Sequence, residues 1–201
     1  MKTCSWLAQV FALLLILSLA ESVSAVAKAE DKSKTKTVKV KDVMLEIPHT
    51  WKQSTPKSRF RAGQFQIPTA EGDTESGELV MYYFGSSGGG SVDANVKRWI
   101  GQFQSTGRNA KTTSGTSTQG PYVLVTVTGT YNKPIGPPIL QKTKPMPEAR
   151  MMAVILKVKN KGNYFLKLTG PEKTVTAADA DFRKSFGANL KEEKAHKPTR
   201  K

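Results

Sequence analysis

The sequence predicts an α+β fold, a single domain built on a mainly antiparallel sheet of six or seven strands with two packed helices. Three observations carry that expectation. Short runs rich in β-branched and aromatic residues recur along the chain, separated by Gly, Pro and Asn turns. Two stretches, one ending at Phe103 and one at Phe186, place apolar residues at helical spacing. The first of them completes a strand, glycine turn and helix over 77–103, the strongest structural signal in the chain.

In that segment Leu79, Val80, Met81, Tyr82, Tyr83 and Phe84 form an apolar run between Gly77 and Gly85, expected to be a strand covered on both faces. The glycines and serines of 85–90 permit chain reversal, and Ser91 is placed to cap the helix that follows. Val92, Val96, Trp99, Ile100 and Phe103 share one face of that helix, which should lie on the sheet through Trp99. A glycine loop opening a helix resembles a phosphate cradle. A P-loop, however, needs Lys followed by Ser or Thr at its end, and Ser91-Val92 stands there instead. The glycines therefore read as a bend.

Elsewhere, Val38, Val40, Val43, Leu45 and Ile47 alternate with polar neighbours except at Lys41-Asp42, which predicts two short strands and a tight turn. Pro48 ends the second strand, and His49-Thr50-Trp51 enters a turn closed by Pro56. Residues 59–67 read as a strand with Arg59 and Arg61 on one face, Phe60 and Phe65 nearby. The acidic loop 69–78 carries Glu71, Asp73 and Glu75 two apart, but Ser76 and Tyr82 stand where an EF-hand needs Gly and Glu, which favours a solvated hairpin loop over a calcium site. Residues 108–119 suggest a half-exposed strand, and 122–131 are the best strand in the sequence, β-branched almost throughout. The stretch 132–150 holds five prolines and is expected to be irregular; long loops of that kind are functional or disordered. Residues 151–159 and 163–170 form a final hairpin, and Val175, Ala178, Phe182 and Phe186 line the second helix.

Lys2 precedes an apolar run over 6–20, and Val23-Ser-Ala25 and Ala25-Val-Ala27 follow it. This is the pattern of a secretory signal peptide over 1–25, with an uncleaved anchor as the alternative. A lysine-rich disordered linker is expected over 26–37, the domain over 38–188 and a basic tail over 189–201. Cys4, the one cysteine, lies within the signal, so the mature domain must be held by packing. The net charge is +15, with 31 basic and 16 acidic residues. Such a balance draws a protein to polyanions, or serves solubility alone.

Trp51, Pro56, Ser58, Arg61 and Ala62, then Asn95-Val-Lys-Arg-Trp99-Ile-Gly-Gln-Phe103, Val127-Thr-Gly-Thr-Tyr131 and Phe165-Leu-Lys-Leu-Thr-Gly-Pro171 together resemble a group of small exported bacterial proteins. The likeness covers about residues 43–186, and the element order is similar to the PsbP-like fold of an extrinsic photosystem subunit and a Ran-binding import factor. That resemblance implies an α/β/α sandwich and adaptor or assembly roles rather than catalysis.

The catalytic inventory is thin. His49 and His196 are the only histidines, so zinc sites and Ser-His-Asp or Cys-His catalysis lack their parts. His49 reads as a turn residue unless a partner carboxylate makes it a general base. Of Glu46, Glu78, Glu148 and Asp179, Glu78 merits first inspection, since it precedes a buried strand. Binding candidates are Arg59 and Arg61 on their strand, and Lys133, Ile135, Ile139, Lys142 and Lys144 in the proline-rich stretch. Those apolar groups, with Leu140 and Met146, either present a surface to a protein or anionic ligand or fold over the sheet edge. No cofactor, metal, specific nucleic acid or transmembrane helix in the mature chain is expected. The functional expectation is a non-catalytic binding or assembly module, secreted or periplasmic, contacting an envelope protein or anionic polymer. The alternative is a carboxylate-dependent hydrolase of envelope polymers.

Overall fold

Strands β1 (Thr35–Val40) and β2 (Val43–Pro48) form a two-stranded hairpin that turns at Lys41-Asp42, with Lys41 in the left-handed region at φ 59°. The alternation seen in the sequence places Val43, Leu45 and Ile47 on one fully buried side. This is a computed structural model, and it describes residues 34–56, 58–136 and 138–197. The signal-peptide and anchor readings, most of the linker and the last four residues of the tail lie outside the described residues.

The remaining strands are β3 (Lys52–Gln53), β4 (Arg61–Ile67), β5 (Gly77–Tyr83), β6 (Asn109–Ser117), β7 (Gly120–Pro134), β8 (Thr143–Val158), β9 (Gly162–Pro171) and β10 (Lys194–Ala195). They form one eight-stranded sheet in the order β10-β6-β7-β8-β9-β5-β4-β3. Every neighbouring pair is antiparallel. The helices are α1 (Val92–Ile100), α2 (Glu172–Ala177) and α3 (Asp179–Ser185). The α+β class and the mainly antiparallel sheet are as expected, but the large sheet has eight strands rather than six or seven, and the β1–β2 hairpin forms a sheet of its own. Two strands of the large sheet, β3 and β10, have two residues each, too short for any periodicity to register.

Each face of the sheet carries its own core. On the first, Phe65, Leu79, Met81, Leu124, Met152, Val154, Leu166 and Leu168 meet the β1–β2 hairpin and, from α2 and α3, Val175 and Phe182. Gly63 lets the hairpin seat: a Cβ there would lie 3.2 Å from both Val40 methyls. On the second face, Val125, Val127, Met151, Ala153, Ile155 and Phe165 meet α1 through Trp99, with Phe103 just beyond the helix. Trp99 is 5% exposed and meets the Phe165 ring edge-on at 6.3 Å. Ser91 caps α1 by accepting from the Ala94 amide. Gly89, at φ 92°, leaves no room for a side chain because a Cβ there would come within 2.4 Å of the Phe165 ring. Buried Asn95 ties this turn down by donating to the Gly89 and Ser91 carbonyls at 2.7 and 2.8 Å.

Four further expectations need correction. The stretch 132–150 is largely regular, because β7 runs to Pro134 and β8 starts at Thr143. Its prolines are tolerated because β8 pairs with β9 only from Ala149 onward, which leaves the outer edge at Pro145 and Pro147 without a ladder partner. The second helix is two, divided at Ala178, although Val175, Ala178, Phe182 and Phe186 are all buried as expected. Phe84 lies beyond β5 and is 42% exposed, so the cover on both faces extends only over Leu79, Val80 and Met81.

Regular structure, finally, continues past 188 into the stretch expected to be a basic tail, with a 3-10 turn at Leu190–Glu192 and β10. The Glu193 carboxylate accepts from the Tyr122 hydroxyl and from Thr113 Oγ1, each at 2.9 Å, and from the Arg183 guanidinium. These bonds strap β10 onto β6. The acidic loop is structural as well. Its Asp73 Oδ2 accepts from the Thr174 amide and hydroxyl at 2.8 and 2.6 Å. Asp73 thereby caps α2, whose own N-cap position is Pro171 and has no side-chain cap. Among the described residues no group of three metal-ligating side chains occurs.

Candidate functional site

Helix α1 covers the part of the second face formed by β7, β8 and the start of β9. Beyond it β4, β5 and the rest of β9 stay open, and they floor a cleft of about 560 Å³ rimmed by β3 and the outer β7–β8 hairpin. Register decides what points into it. Gln66 pairs with Glu78, Gln64 with Val80 and Val80 with Lys167, so these side chains stand on the same face. A bulge between Arg61 and Gly63 turns Arg61 onto this polar face, away from Gly63 and Phe65, with which simple alternation groups it.

Two cations occupy the floor and differ in their partners. Arg61 Nη1 donates to Glu78 Oε1 at 3.0 Å and to Gln64 Oε1 at 2.9 Å, while Gln64 Nε2 donates to the same Glu78 oxygen at 2.8 Å. Its charge is balanced. The Lys167 ammonium donates instead to Gln102 Oε1 at 2.5 Å and to the Tyr131 hydroxyl at 3.1 Å, and lies 5.2 Å from the centre of the Tyr131 ring. It makes no ion pair among the described residues. Burial brings the Lys167 ammonium down to about 8, opposed by the Glu78 carboxylate and reinforced by Arg61 and Arg98. Burial likewise pushes the Tyr131 phenol up to about 12 and raises Tyr82, so both hydroxyls stay protonated at neutral pH. Lys52 and Lys133 stand at the rim. Four cations thus stand in or at the rim of a partly enclosed concavity against two carboxylates, Glu78 on the floor and Glu75 beside Lys133, a net positive arrangement that attracts anions.

The structure divides the seven residues singled out in the sequence. Arg61 and Lys133 share the cleft. Lys133 also pairs with Glu75. Arg59 is in the turn before β4, exposed, its guanidinium 5.0 Å from the Phe60 ring centre. Ile135, Ile139, Lys142 and Lys144 cluster at the end of the β7–β8 hairpin, away from the cleft floor, and Ile139 is 87% exposed. They do not fold over the sheet edge.

Sequence reasoning missed Lys167, Gln64, Tyr82 and Tyr131. The available signal was a lysine inside the apolar strand Tyr164-Phe-Leu-Lys-Leu168, where a charge calls for an explanation. His49 is in an exposed turn. His196, which the sequence placed in a free tail, packs toward α1 with its Nε2 4.0 Å from Asp93 Oδ1.

No protein-family model and no curated protein matches the chain. Among solved structures, a protein of unknown function from Pseudomonas aeruginosa is similar over 75% of this chain and 92% of its own, at 15% identity and a TM-score of 0.40.

Proposed function

We propose that this protein is a non-catalytic exported binding or assembly module at the cell envelope, and that the cleft around Lys167 receives an anionic group of a protein or polymer. The observation that carries the reading is the partner set of Lys167: a cation set into the sheet whose hydrogen bonds go to neutral Gln102 and Tyr131. Burying a charge without a countercharge costs stability, and a carboxylate, sulfate or phosphate entering the cleft would supply the missing one. Export is supported by the signal-like start of the sequence, and attraction to polyanions by its +15 charge. The resemblance to PsbP-like proteins, helices on both faces of an antiparallel sheet, supports an adaptor role by analogy of fold. A carboxylate-dependent hydrolase would use two acids facing one cleft. Glu78 is the one acid among the described residues lining this cleft, and Arg61 and Gln64 hold it.

The test is a titration of the mature chain with heparin as anionic probe, at rising ionic strength, for the parent and for Lys167→Met. Affinity should fall steeply with salt. Lys167→Met should weaken binding roughly tenfold, equivalent to about 1.4 kcal/mol. Equal binding by the variant overturns the reading, and substrate turnover lost in Glu78→Gln would replace it with the hydrolase.

A further inference from the structure

The end of the β7–β8 hairpin is a finger that the cleft does not use. The ladder continues past its lateral neighbours through Pro134↔Thr143, and the Ile135 amide donates to the Lys142 carbonyl at 2.9 Å. One 3-10 turn, Pro138–Leu140, closes the end. Three aliphatic side chains are exposed there, Ile139 at 87%, Leu140 at 54% and Ile135 at 43%. Phe60 and Phe84, exposed elsewhere, at least lie against each other with ring centres 6.3 Å apart. Residues 133–147 contain three lysines and no acid. Glu75 holds Lys133, while Lys142 and Lys144 are exposed and make no ion pair among the described residues.

We infer that this finger docks on an anionic phospholipid surface, with Ile139 and Leu140 entering the boundary between headgroups and acyl chains and Lys142 and Lys144 resting at the level of the phosphates. The composition selects lipid over a protein groove. Protein interfaces favour Tyr, Trp and Arg and are depleted in Lys, whereas aliphatic groups ringed by lysine are what an anionic leaflet attracts. The finger is also only two strands wide with its aliphatic side chains exposed, so it enters a soft surface without needing a matching pocket. Pro138, which opens the 3-10 turn, has no N–H group, which lowers the number of backbone donors carried away from water. The inference rests on the proposed export only for where such a surface is met. The affinity itself comes from the finger.

The experiment uses residues 34–201, which keep the β1–β2 hairpin whole, so that the apolar run near the start of the chain adds no lipid affinity. Its cosedimentation is measured with vesicles of phosphatidylglycerol and phosphatidylcholine, and with phosphatidylcholine alone. Binding to the anionic vesicles is expected, weakened at least about tenfold by Ile139→Asp with Leu140→Asp, since both apolar insertion and charge attraction are lost. Lys142→Gln with Lys144→Gln should remove most of the preference for anionic over neutral vesicles. Lys159→Gln, exposed just past the opposite end of β8, should leave lipid binding unchanged, and the cleft is read separately by heparin with Lys167→Met, so failure here is separable from failure of the cleft. All these positions are exposed or half-exposed, and unchanged thermal unfolding confirms intact folding. No binding to anionic vesicles, or binding that ignores the Ile139 and Leu140 substitutions and answers only to salt, overturns the proposal.

Discussion

The two faces of the large sheet are made from the same strands and finished differently. On the first, the hairpin β1–β2 and the helices α2 and α3 meet hydrocarbon with hydrocarbon, and Leu45, Ile47, Phe65, Leu166 and Phe182 are fully buried. On the second, α1 is a single short helix that covers β7 and β8 and leaves β4 and β5 open, and the uncovered rows are Arg61, Gln64, Glu78 and Lys167. Alternation along a strand makes such a division possible, since neighbouring residues serve opposite faces. The first face is sealed along its length, whereas the second sets the core under α1 beside an open row of charged groups able to engage a ligand.

That contrast breaks most visibly through Phe182. Phe182→Ala should lower unfolding free energy by about 3–5 kcal/mol, the usual cost of truncating a buried phenylalanine, read from chemical denaturation. A loss comparable to that of an exposed residue would mean the first face is not the sealed one. On the open face the sign reverses. Lys167→Met should raise stability by about 1–2 kcal/mol at neutral pH, because a similar volume is kept and a buried charge is removed. The pH dependence follows from the same residue. With its folded-state value lowered to about 8 from an unfolded 10.5, the folded protein binds fewer protons between those values, so the contribution of Lys167 to stability rises as pH rises through that window. Below about 8 both states are protonated and the full cost of burial is present. The slope should be absent in Lys167→Met. Anion affinity moves the opposite way, falling in the parent as the ammonium loses its proton. Arg61→Gln sharpens the comparison at its small end. Its ion pair with Glu78 is partly solvated, and its removal should change stability by less than about 1 kcal/mol.

What the chain reveals before folding follows the same division. The Trp99 helix, its Ser91 cap, the turn at Lys41-Asp42 and the buried set from Val175 to Phe186 are local patterns, complete within a turn or two of chain. The cleft is not local. Arg61 reaches it through a bulge, Lys167 comes from a strand a hundred residues later, and Tyr131 and Gln102 meet Lys167 only because β7 and the end of α1 are brought together. The proline stretch misleads for a related reason: whether Pro145 and Pro147 break a strand depends on which edge faces a neighbour, and that is decided by the start of β9 pairing. Arg61 and Lys133 stand out in the sequence as single charges, without their shared setting.

The strap formed by β10 has a consequence for solubility. It lies along the outer edge of β6, a strand of threonine, serine and glycine whose free amides and carbonyls would otherwise be offered to any passing strand. Glu193 is therefore a guard as much as a tether. A protease trimming the chain ahead of it would leave the body folded and unmask a sticky margin, so that nicked molecules would begin to zip together edge to edge.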